Sequence, residues 1–236
     1  MNSSAPSIGT AFINGLVAPS ALFGEIKLLR RYGLYALMAV LLLSLFSNYT
    51  FFSNMSEQHL LSEQLAQVQG LSASEMEMAA EMMQKTLPYT GLIAGAISAA
   101  SLLLQILLLS VYVMMVAKLT AANSQLRFSD YVNFSSWCYL PACASALGLT
   151  LLVFTSSTPD LPLSLQYYAS FNQLFIHYSS DAPLHNLAQS FALFDLWIIA
   201  LLITGFITSF KLSFGQAIVA GLLPYALIYG TWFAIA

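Results

Sequence analysis

His177, Asp181 and His185 recur at four-residue intervals, the spacing that lets two imidazoles and a carboxylate share one helix face and hold a divalent metal. Pro183 falls between the last two, and Ser179-Ser180-Asp181-Ala182-Pro183 reads as a turn, so the sequence expects no helix through the set and no resident metal. Asp195 is the second candidate. It begins a long apolar run, and an ionisable group in such a run is costly and commonly tied to proton or ion movement. Its place near a helix N-terminus lowers that cost, because the dipole favours negative charge there. No second charge lies within an apolar run to complete a relay. Gln105 is the third candidate, a lone amide in the middle of an apolar run, joined by Ser44, Ser110, Thr204, Thr208 and Gln216. Hydrogen bonding between helices is the ordinary use of such groups. Cys138 and Cys143 lie in one run, five residues apart, and read as small packing residues. No phosphate loop, nucleophile elbow, paired acid–base set or zinc-protease helix occurs. The sequence therefore points away from an enzyme and calls for no cofactor.

The elements that must position these residues are membrane spans. Of 236 residues 58% are hydrophobic and 7% charged, against about a quarter charged in a soluble domain. A helix needs roughly 20 apolar residues to cross the hydrocarbon. Five windows meet that length and predict an all-α polytopic membrane protein, with spans at about 32–53, 88–117, 131–155, 187–210 and 213–235. The first window is longer than a signal-peptide core and begins after about 30 residues, so it reads as a retained anchor. Pro141 in the third span and Pro224 in the fifth predict kinks. Gly91 and Gly95 in the second permit close approach of another helix, more readily within the chain than between copies.

Charge orients the set. Lys27, Arg30, Arg31, Lys118, Arg127 and Lys211 fall on one side of these spans, with Lys85 the exception. Glu57, Glu63, Glu75, Glu77, Glu81, Asp160 and Asp181 fall on the other. Because Lys and Arg are retained in the cytoplasm during insertion, the N-terminus is expected inside and the C-terminus outside. There is no basic tract for nucleic acid. Residues 1–31 form a cytoplasmic lead-in, in which Pro19 opens an interfacial helix with Leu22, Phe23, Ile26 and Leu29 on one face. Residues 32–236 form a single five-span domain. An outer helical hairpin is expected over 56–87: Ser56 caps a helix running to Gln69, Gly70 ends it, and Ser72 with Glu75 makes a capping box. Glu81 pairs with Lys85, and Met76, Ala80, Met83 and Leu87 form a stripe packed on the ends of the spans. The aromatic connection 156–186 is expected to form a short helix lying on the outer surface.

Three segments add a resemblance. Ala18-Pro19-Ser20-Ala21-Leu22-Phe23 precedes the first span. Phe128-Ser129-Asp130-Tyr131 runs on to Ser136 and then Leu140-Pro141. Phe191-Ala192-Leu193-Phe194-Asp195-Leu196-Trp197 is followed by Gly205 and by Phe214-Gly215-Gln216-Ala217. Together they resemble the bacterial-type members of the Yip family, five-span proteins whose eukaryotic relatives interact with Ypt/Rab GTPases. The resemblance implies the fold and a place in the bacterial inner membrane, with the bilayer, other membrane proteins or a second copy as partners. The expected function is organisation of lipids or partner proteins without catalysis. The alternative is a transporter or channel for a small solute, ion or lipid.

Overall fold

The computed structural model describes residues 7–24, 30, 32–66, 68, 72–120 and 126–235. Among them the chain is helical, without strands. Five helical segments are long and apolar enough to cross a membrane. The first is α3 (Gly33–Ser53); α4 (Glu57–Ala66) and α5 (Ala73–Thr86) follow it. The second span, α6 (Thr90–Leu119), continues from α5 through a 3-10 turn at Leu87–Tyr89, where Pro88 cannot donate its missing amide to a regular helix. Two consecutive helices, α7 (Phe128–Cys138) and α8 (Leu140–Thr155), make the third span. The fourth and fifth are α10 (Leu193–Phe210) and α11 (Phe214–Ile235), with α9 (His185–Ser190) before them. Two short helices, α1 (Ile8–Val17) and α2 (Pro19–Gly24), precede all of these.

Packing follows the small residues. A Cβ on Gly95 would lie 2.7 Å from the Leu45 carbonyl oxygen, and one on Gly91 2.2 Å from Ser53 Oγ. Both glycines therefore face α3 within the chain and let the α3 and α6 backbones touch, where dispersion and hydrogen bonds rather than water exclusion drive association. α3 packs as well on α7 and α8, and α10 on α11. The third span breaks at Tyr139, and Pro141 occupies the first turn of α8, where its lack of an N–H costs nothing. Pro224 lies inside α11, which the backbone carries through as one helix.

The two ends of the bundle differ. At the lead-in end, α1 and α2 fold onto the bundle. Ser7 caps α1 by accepting from the Thr10 amide, Phe12 meets Trp137 edge-on at 5.2 Å, and a Cβ on Gly15 would strike Leu140. Of the face expected to lie at the interface, Leu22 and Phe23 are among the described residues. Leu22 and Phe23 are buried against α7 and α10, with Ser209 Oγ donating to the Phe23 carbonyl, so they are turned to protein rather than lipid. Glu25, Ile26, Lys27, Leu29 and Arg31 lie outside the described residues.

At the hairpin end, the Ser72–Glu75 capping box and the Glu81–Lys85 pair (2.8 Å) form as the sequence predicts. Leu87 is buried and Met76, Ala80 and Met83 are half-buried, while Met78 and Met82 stay exposed. α4 is seen to Ala66; Gln69 and Gly70 lie outside the described residues. The connection after α8 is not one surface helix. It consists of a 3-10 turn (Leu163–Tyr167), a π turn (Asn172–Ile176) and α9. The reason is a backbone clasp: Phe171 N–H donates to Phe191 O and Leu193 N–H to Ala169 O, each at 2.8 Å, which breaks the fourth span at Phe191-Ala192.

Candidate functional site

The hairpin-end half of the bundle encloses a polar chamber of about 270 Å³ between α3, α6 and α8, room for about nine waters. Ser44 and Ser98 share a 2.6 Å hydrogen bond. Asn48 Nδ2 donates to Ser44 O and to Ser98 Oγ, each at 3.0 Å, and Gln166 Nε2 donates to Asn48 Oδ1 at 3.3 Å. Ser47 Oγ is fully buried with no hydrogen-bond partner, although Ser47 lines the chamber. Gln105 closes the deep end, accepting from the Tyr139 hydroxyl at 3.3 Å. The lining carries no charged side chain.

Depth and openings decide what the chamber can do. Gln105 stands fifteen residues into α6, about 22 Å from its start. Beyond it the buried face of α6 is Ile106, Leu109, Val113 and Ala117, packed with Phe134, Trp137, Leu202 and Phe206 into one core. The chamber is therefore blind toward the lead-in end. Toward the hairpin end, Gln166 also lines a larger polar vestibule of about 780 Å³ that includes Glu63, His185 and Asn186. Two residues past Gln166, the Tyr168 hydroxyl donates to Ser145 O of α8 at 3.0 Å, close over Gly148. Ser101 and Gln105, which line the chamber, are both exposed, about midway along a helix long and apolar enough to cross a membrane. Polar groups facing lipid are expensive unless something polar reaches them.

The other candidates are dispersed. His177 takes a left-handed conformation (φ 60°) that ends the π turn, and His185 Nδ1 lies 3.0 Å from Tyr178 O. Among the described residues no three metal-binding side chains converge. Asp195 caps α10, accepting from the Ala192 amide at 2.7 Å, and lies close enough to Tyr139, Tyr225 and Tyr229 for electrostatic interaction; it does not line the chamber. Trp197 is packed against the main core. Ser44 does bond between helices, but Ser110, Thr204 and Thr208 return their hydroxyls to their own helices, and Gln216 accepts from Ser213 at the start of α11. Both cysteines are free.

Sequence reasoning missed an ion pair at the lead-in end. Arg30 Nε and Nη2 grip the two oxygens of Asp130, whose Oδ2 also accepts from the Arg127 amide at 2.9 Å and so caps α7. The pair ties Arg30, three residues before the first span, to the start of the third. Its partners are 100 residues apart. The only available signal was an acid at the third position of a helix.

Five apolar helical spans, three of which border a charge-free polar chamber, define a polytopic α-helical membrane protein. The sequence model of the Yip1 domain matches residues 14–235, nearly the whole chain, and the chain belongs to the Yip family. The match takes in part of α1 and all of α2, in keeping with their place in the fold. No curated protein and no solved structure matches it.

Proposed function

We propose that this Yip-family protein organises membrane lipids without catalysing a reaction, holding the polar part of a lipid headgroup in the chamber while the acyl chains remain in the bilayer. The observation that carries this reading is the exposure of Ser101 and Gln105, midway along the second span, in a charge-free, hydrogen-bonding cavity that is closed toward the lead-in end. Such a cavity holds a ligand by hydrogen bonds, and the unpartnered Ser47 hydroxyl has one to offer. A through-pathway for a solute would need the aromatic core of Phe134, Trp137 and Phe206 to part. The basic residues around the lead-in end support an orientation with that end in the cytoplasm of a bacterial inner membrane.

The test is reconstitution into vesicles that report ion, small-solute and lipid flux, comparing wild type with Gln105→Leu and Asp195→Asn. Retention of bound lipid that Gln105→Leu weakens, with no flux above empty vesicles, is expected. Robust protein-dependent flux of any of the three would replace the organising role with transport.

A further inference from the structure

A second pocket, of about 350 Å³, lies at the lead-in end between α3 and α7, remote from the chamber and independent of the reading given to it. Its polar lining is Arg30, Ser129, Asn133 and Ser136, the last donating its hydroxyl to Val132 O; Leu34, Leu37 and Val132 supply an apolar flank. Three features make it a site for an anion. The N-termini of two spans open on it, at Gly33-Leu34 and Phe128-Ser129, each bringing the positive end of a helix dipole. Asn133 is 95% buried, and neither its Nδ2 nor its Oδ1 has a hydrogen-bond partner. An unpaired buried amide is costly, and native interiors seldom leave both ends empty. Gly33 makes room for it, since a Cβ there would lie 1.8 Å from Asn133 Oδ1. Arg30, finally, binds Asp130 through Nε and Nη2 yet keeps 48% of its side chain exposed, so its remaining edge faces outward. The Asp130 carboxylate is 7% exposed and engaged by both Arg30 and the Arg127 amide, which blunts its repulsion of an incoming anion.

We propose that this pocket seats the phosphate of an anionic phospholipid, with Asn133 Nδ2 and the outer edge of Arg30 donating to its oxygens. One acyl chain would then run along Leu34, Leu37 and Val132. The apolar flank is what favours a lipid phosphate over a free one. Arg31, the next residue in sequence, adds positive charge of the kind that draws anionic headgroups to a juxtamembrane segment.

The experiment uses the full chain in nanodiscs of phosphatidylcholine, with or without phosphatidylglycerol, and follows the midpoint of thermal unfolding and the lipids retained in native mass spectrometry. Wild type should gain stability from phosphatidylglycerol. Asn133→Leu, nearly isosteric, should match or exceed wild type in phosphatidylcholine alone, because it removes an unsatisfied amide. It should lose the phosphatidylglycerol increment and retain that lipid roughly tenfold less well, as expected for a hydrogen bond to a charged group. An undiminished increment in Asn133→Leu would overturn the proposal. So would an equal gain from inorganic phosphate added to phosphatidylcholine discs, which would mark a free-anion site. Should Asn133→Leu not fold, phosphatidylglycerol carrying a photoreactive headgroup decides on wild type alone. Adducts on the stretches around Arg30–Leu37 or Phe128–Ser136 uphold the site, and adducts confined elsewhere refute it.

Discussion

Replacing Asp130 by asparagine keeps an oxygen for the Arg127 amide and removes the charge that Arg30 grips, so the variant isolates the ion pair from the helix cap. Replacing Arg30 by glutamine does the reverse and leaves a nearly buried carboxylate with one backbone donor. The size of the coupling follows from the exposure of the two ends. A fully exposed pair contributes at most about 1 kcal/mol, whereas breaking a fully buried one costs about 3–5 kcal/mol. With Asp130 at 7% and Arg30 at 48%, the pair sits between these limits, and a coupling of about 1–2 kcal/mol is expected. Arg30→Gln should be the more damaging single change, at roughly 2–3 kcal/mol, because it strands the carboxylate. The assay is a double-mutant cycle on reversible unfolding in mixed micelles with a rising fraction of denaturing detergent. Asp130→Asn added to Arg30→Gln should then recover part of the loss. Additivity within about 0.5 kcal/mol would show that the two side chains do not depend on one another. The lead-in would then not be anchored to the third span through them.

Further expectations are local. Gly95→Ala should destabilise the α3–α6 contact by roughly 1–3 kcal/mol, since the new methyl meets a backbone carbonyl that cannot swing away; Gly230→Ala, in open space on α11, should be neutral or stabilising. Thermal unfolding of the two variants side by side checks this, and equal midpoints would contradict it. Ser47→Ala should raise stability in lipid-free detergent by about 1 kcal/mol, because it removes a buried hydroxyl without a partner, and should weaken lipid retention. Asp160 accepts the Ser56 amide at 2.8 Å, and that bond holds its carboxyl below the ordinary aspartate value. A depressed folded-state pKa gives stability that is complete above the unfolded value of about 3.9 and fades as pH falls through the folded value. The start of α4 should therefore loosen below about pH 3.9, seen as faster exchange of the Ser56 amide, and Asp160→Asn should abolish that dependence.

The spans were legible because hydrocarbon thickness and absence of charge act over 20-residue windows. The runs expected at 32–53 and 213–235 appear as α3 and α11 with ends moved by a residue. Boundaries set by contacts were not legible. The fourth span starts late because the backbone at Phe191-Ala192 pairs with Ala169-Ser170, which no local pattern announces. α1 was overlooked for want of charge contrast, although Ser7 three residues before Thr10 offers a cap. Gln105 and Ser44 were visible as isolated polar groups. Only packing brings them together with Ser47, Asn48, Ser98 and Gln166, and only packing leaves the side toward lipid open. The Arg30–Asp130 pair was hidden for the same reason, each partner having an adequate local explanation of its own.

A lipid headgroup held in the chamber must reach the middle of this bundle. A phospholipid with a photoreactive group on its headgroup, activated in native membranes and followed by peptide mapping, measures that directly. Adducts on the α6 segment from Ser98 to Gln105, about 12–22 Å along the helix from its start, and their loss in Gln105→Leu, are the predicted result. Adducts confined to the α4–α5 hairpin and the lead-in, with none on that segment, would rule out a headgroup in the chamber.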